Sequence, residues 1–177
     1  MPNWRIAAVL FISLQVACTR ATDRTALIDR IALVDGKPIE QTIGGVRVSF
    51  DGKSALAVSA HGRTKSLDAK TPAVVSISRD GRFLMHNYGD GSGQVYDIGI
   101  YSSNDWNTID ISSFRRSVLQ FARSNGCTIQ SDQISFVFTS WHGSSSVNLR
   151  TEDFSRKEGC AFLNRAWQID LPRGTQY

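Results

Sequence analysis

Between residues 110 and 127, apolar side chains recur at three- and four-residue intervals. Ile111, Phe114, Val118, Leu119 and Ala122 fall on one side of a helical wheel, with Arg115, Arg116, Gln120 and Arg123 on the other, so the spacing predicts an amphipathic helix with one dry face. Both ends are chemically specified. Asp110 can accept hydrogen bonds from the first free backbone amides, Asn125-Gly126 offers the left-handed residue that closes a helix, and Arg123 suits the negative end of the helix dipole. The helix therefore delivers Cys127 to a fixed place.

Elsewhere the period is two. Val46, Val48 and Phe50 alternate with Arg47 and Ser49, Asp51-Gly52 turns the chain, and residues 55–60 return, which predicts a hairpin opened by Gly44-Gly45. Residues 62–71 are polar without period and read as a loop ending at Pro72. Val75 and Ile77, then Phe83 and Met85, then residues 95–101 form a meander punctuated by Arg79-Asp80-Gly81 and by the glycines of residues 89–93. Residues 76–84 and 95–98 resemble one hairpin of a β-propeller blade, but no second copy recurs, which excludes that fold. After the helix, Ile134, Phe136 and Phe138 mark a strand over 134–141 that pairs with 147–150, and a last strand runs from Ala166 to Pro172. For residues 25–40 two readings stay open. Leu27, Ile28, Ile31 and Val34 fit a helical face, whereas Asp35-Gly36 and Pro38 fit a turn between two strands, the reading we prefer.

At 177 residues with 41% hydrophobic content, the chain is of single-domain size and can build a core. Its net charge of +4 is mild and its basic residues are scattered, so a nucleic-acid surface has no support. Residues 1–21 read as a signal peptide: Arg5 precedes an apolar run over 6–16 that is shorter than a membrane span, and small residues follow. Val16-Ala17-Cys18 resembles the end of a bacterial lipobox, with Gln15 where that pattern wants Leu; the resemblance implies acylation of Cys18 as a lipid anchor. Cleavage after Ala21 is the other reading. Either route leaves Cys127 and Cys160 as the remaining pair, and an oxidising compartment predicts a disulfide between them. Neither cysteine has a partner at metal-site spacing, so no metal is expected.

Catalytic and cofactor chemistry finds little support. The glycines of residues 89–93 lead into a strand rather than a helix, which argues against a phosphate loop, and His86 and Tyr88 stand where a calcium loop needs carboxylates. No GxSxG occurs. The acidic residues sit mostly in turns, leaving Asp105 beside Trp106 and Glu152-Asp153 beside Phe154 as candidates for acid chemistry. His142, in the run Trp141-His142-Gly143-Ser144, is the histidine best placed for a site. Trp106 and Trp141 read as contact aromatics on loops or, equally, as core.

The expectation is an α+β fold: an antiparallel sheet of sequential hairpins, one amphipathic helix packed on a face, and one disulfide, in a single domain over residues 22–177. The expected function is that of an exported envelope protein, periplasmic or anchored to the outer membrane, that binds another protein or an envelope component through Trp106, Trp141 and His142. Periplasmic inhibitors and immunity proteins share this general build, an analogy of class. The alternatives are a small periplasmic hydrolase using His142 with a loop carboxylate, and a structural lipoprotein. No cofactor is expected.

Overall fold

The computed structural model describes residues 30–89, 96–130, 134–153, 160 and 163–172. The signal segment with Cys18, the glycine turn beyond Gly89 and the charged run with Phe154 lie outside the described residues. What is described is α+β: antiparallel sheets, one helix and the Cys127–Cys160 disulfide.

The strands form three sheets where the sequence predicts one. β1 (Arg30–Leu33), β6 (Ala73–Ile77), β7 (Phe83–Gly89) and β8 (Tyr96–Ser102) make a central sheet in the order β1-β6-β7-β8. A meander of β2 (Ile39–Ile43), β3 (Val46–Phe50), β4 (Ala55–Ala60) and β5 (Arg63–Asp68) makes the second. The third has the order β11-β10-β9, from β9 (Ile134–His142), β10 (Ser146–Asp153) and β11 (Ala166–Asp170). The cause is visible in β7, whose two faces are both apolar enough to need cover. Phe83 and Met85 join one core with Ile98, Phe136, Leu149 and the helix; Leu84 joins another with Ile31, Val75, Val48, Phe50 and Val58 of the second sheet. A strand buried on both sides forces layers on both sides.

Two sequence expectations need correction. Residues 30–33 and 39–43 are strands, so the helical reading of 25–40 fails where it is described; the two strands also do not pair, because β1 joins β6 while β2 joins β3. Residues 62–71, expected as a loop, contain β5, paired along β4 from Ala55↔Asp68 to Ala60↔Arg63. Its polar sequence suits an edge strand, where charged side chains discourage further pairing.

The helix α1 (Ser112–Ser124) buries Val118 and Ala122, with Phe114, Leu119 and Phe121 packed at the margin of the same core. Asp110 accepts hydrogen bonds from the Ser112 N–H (2.8 Å) and hydroxyl (2.9 Å). At the other end Gly126, at φ +80°, lets the Cys127 N–H return to the Ala122 carbonyl (3.0 Å). Cys127 then meets Cys160 at a Cα–Cα distance of 5.4 Å, tying the helix end to the segment that enters β11. A register shift between Asn148 and Leu149 leaves Thr139 as an extra residue on β9, which turns Trp141 back to the core side beside Phe138.

Candidate functional site

At one end of the molecule five turns meet around Arg82. The turn between β6 and β7 is built first: the Ser78 hydroxyl donates to Asp80 (2.9 Å) and accepts the Phe83 N–H (2.9 Å), and Asp80 accepts from the Arg82 backbone (3.2 Å) and its Nε (2.5 Å). Burial opposes the charged Asp80 carboxylate, but the bonds from Arg82 and Ser78 outweigh it and hold its pKa below the ordinary value.

The neighbouring turns are fastened to this one through backbone. Gly81, at φ +73°, lies so close to the β2–β3 turn that a Cβ there would stand 2.1 Å from the Gly44 carbonyl oxygen. Only glycine allows that approach. The Ser103 hydroxyl donates to the Gly81 carbonyl (2.6 Å) and its N–H to the Arg82 carbonyl (2.8 Å), fixing the loop between β8 and α1. Arg82 also reaches the Ser144 hydroxyl (3.4 Å) in the β9–β10 turn. His61, exposed at φ +52° in the β4–β5 turn, completes the set. Between them lies a crevice of about 230 Å³ lined by Gly44, Gly45, His61, Asp80, Arg82 and Asn104 among others.

Of the sequence-predicted residues, Trp106 is packed rather than presented. It is 5% exposed in the second core and holds φ +59°. Its indole N–H donates to the Arg63 carbonyl (3.2 Å), and its own carbonyl accepts from Lys65 (2.9 Å), so it clamps the 102–107 loop onto β5. Of the two readings open for Trp106, contact and core, the core one holds, and the ring supports the loop from beneath. Asp105 caps the same loop: the Asn107 N–H, then a bond from the Ser102 side chain, lower its pKa. Trp141 is half-buried in the other core, and its N–H donates to the Ser76 hydroxyl (2.9 Å). The two tryptophans therefore do not share a surface.

His142 is exposed at the end of β9, two residues from Ser144 and so at the rim of the cluster. It stands across from Ser146, which stands across from Asp170. One rung thus carries an imidazole, a hydroxyl and a carboxylate. The order is wrong for a nucleophile, because the Ser146 hydroxyl donates to Asp170 (2.6 Å). The carboxylate on this rung belongs to the strand β11. Among the described residues no group of three or more His, Cys, Asp or Glu gathers as metal ligands, and no helix is long and apolar enough to cross a membrane.

Sequence reasoning missed Arg82, Ser103 and His61. The turn signatures Gly44-Gly45 and Asp80-Gly81 were legible, but nothing local says that two such turns touch. Comparison with family models, with curated proteins and with solved structures returns no match.

Proposed function

We propose that this chain is an exported bacterial envelope protein, periplasmic or lipid-anchored at Cys18, that works by binding another protein or an envelope component in the manner of an inhibitor or immunity protein. The observation that carries this reading is the bracing of the turns around Arg82. Loops drawn from all three sheets are held by Gly81 against Gly44, by Ser103 and by Arg82 against Ser144. Such a rim loses little conformational entropy on docking, which favours recognition. Arg82, His61, Asn104 and His142 are the polar groups it offers a partner, with Trp106 beneath and Trp141 behind.

The hydrolase reading rests on the His142, Ser146 and Asp170 rung, and the direct Ser146–Asp170 bond counts against it. A pull-down from envelope extract with the mature protein tests both. The expected result is one stoichiometric partner, retained at least about tenfold less by Arg82→Ala or His142→Ala, with the near-ultraviolet circular dichroism of both variants unchanged. Equal retention by the variants removes the rim from the interface. Turnover of an ester or amide substrate that Ser146→Ala and His142→Ala both abolish replaces binding with hydrolysis. Mass spectrometry of the mature amino terminus decides between acylated Cys18 and a cut after Ala21.

A further inference from the structure

The second sheet ends at β2, and that edge is open. The Asp51 N–H donates to the Ala55 carbonyl (3.1 Å), which fixes the alternation along β3: Arg47, Ser49 and Asp51 bond towards β4, and Val46, Val48 and Phe50 towards β2. Their partners Ile43, Gln41 and Ile39 are thereby committed, as the two-residue Gly44-Gly45 turn also requires. Glu40 and Thr42 therefore turn both their N–H and their carbonyl outward. Both are exposed, as is Gln41 between them, and among the described residues no strand lies beyond β2. The far edge of the same sheet differs, because the Arg63 carbonyl and the Lys65 ammonium of β5 fasten Trp106 and its loop against it.

The side chains of β2 say what this edge fits. Ile39-Glu40-Gln41-Thr42-Ile43 has an apolar residue at each end, a polar one inside each, and Gln41 in the middle, so it reads alike in both directions. Pro38 holds the next outward position and has no N–H, which ends the edge there. Paired antiparallel with itself, the strand has three two-fold registers that bring its open backbone groups together. Centred on Glu40, two carboxylates meet and Pro38 occupies a bonding place. Centred on Thr42, each half-buried Ile43 falls opposite Gln41. Centred on Gln41, Ile39 falls opposite Ile43 and Glu40 opposite Thr42, so like charges stay apart and each Glu40 keeps its own Arg47. Lys37 then falls opposite Gly45. Gln41 shares the core face with Val48 yet is exposed, so the layer beneath stops short of this edge and leaves room for a second copy.

We propose that this edge is a homodimer interface, in which β2 strands of two copies pair antiparallel about a two-fold axis through Gln41 and join two four-stranded sheets into one. Each Thr42 N–H donates to the Glu40 carbonyl of the second copy, and each Glu40 N–H to the Thr42 carbonyl, which satisfies every open backbone group of Glu40 and Thr42. The two Gln41 side chains meet on the core face, where their amides bond each other, and Ile39 packs on Ile43 at either end.

Sedimentation equilibrium of the mature protein over a range of concentrations tests this. A single pair of short strands is a small interface, so half the chains are expected to be paired at roughly 100 µM. Thr42→Pro removes an N–H that bonds nothing within the protomer and should weaken pairing about tenfold or more, with the near-ultraviolet circular dichroism unchanged. A cysteine series reads the register and does not depend on the proline variant folding. Gln41→Cys should yield a covalent dimer on mild oxidation, because residues opposed across a non-hydrogen-bonded antiparallel pair have Cα atoms about 4.5 Å apart. Glu40→Cys and Thr42→Cys should not, since each lies two residues from its own copy. A monomer mass up to about 1 mM, pairing untouched by Thr42→Pro, or cross-linking at 40 or 42 as readily as at 41 each overturn the proposal. None of these three positions lines the Arg82 crevice, so this experiment and the pull-down succeed or fail separately.

Discussion

At the residue scale His86 is the side chain with most at stake. It is 2% exposed between the central and second sheets, its ring 4.9 Å from that of Tyr88, and among the described residues its Nε2 has no hydrogen-bond partner. Burial pushes its pKa down to about 4, against the opposing pull of Asp68. The unfolded chain takes up the proton near pH 6.5 and the folded chain only near 4. Stability is therefore full above the unfolded value and falls as pH drops from about 6.5 to 4, by roughly 3 kcal/mol from this group. Urea unfolding across that window should show the decline in the native chain and a flatter profile in His86→Leu; parallel profiles would show that His86 is not the group responsible. Trp106 makes the complementary case. Truncation to alanine should cost about 3 to 5 kcal/mol by chemical denaturation, as expected of a packed aromatic rather than a contact residue. Its polar sequence neighbourhood left the contact and core readings equal, because the β5 residues that hold it, Arg63 and Lys65, lie 43 and 41 residues away.

At the element scale the third sheet shares a core with the central one and is also hydrogen-bonded to it through side chains. Asn87 on β7 donates to the carbonyls of Asp97 (2.8 Å) and Phe136 (2.9 Å) and accepts the Phe138 N–H (3.3 Å). Asn87→Ala leaves buried backbone groups of β9 without partners and should cost about 2 to 3 kcal/mol, with the Phe138 amide losing hydrogen-exchange protection before those of β3 and β4. The Cys127–Cys160 bridge closes a separation of 33 residues, and its reduction should cost about 3 to 4 kcal/mol by the chain-entropy model. A midpoint shift of under about 1 kcal/mol would show that the reduced chain is already constrained. The helix and most strands were legible because their periodicity is local. β5 was not, since an edge strand needs no apolar face and Arg63, Thr64, Lys65 and Ser66 offer no period to read.

On the scale of the whole molecule, two cores share one strand. Leu84 belongs to one and Met85, the next residue, to the other. Neither core can melt without exposing the other face of β7. Leu84→Ala and Met85→Ala should each lower a single, common unfolding transition by about 2 to 5 kcal/mol, followed by circular dichroism and by tryptophan fluorescence together. Two separated transitions in either variant would mean that the cores fold independently. The same layering sets the function proposed here, for turns of three sheets can converge on Arg82 only because the sheets are stacked.

What the chain carries locally was enough to determine the helix and its return at Gly126, the turns at Asp51-Gly52 and Asp80-Gly81, the pairing of Cys127 with Cys160 and the general α+β class, since each depends on contacts between near neighbours or on a count of two. Which sheet each strand joins, which aromatic is buried and which turns touch depend on pairings such as Ile31 with Val75 and Gly44 with Gly81. Those are choices among partners of similar local character, and they are made by the need to cover both faces of β7 at once. That condition exists only when the whole chain is assembled.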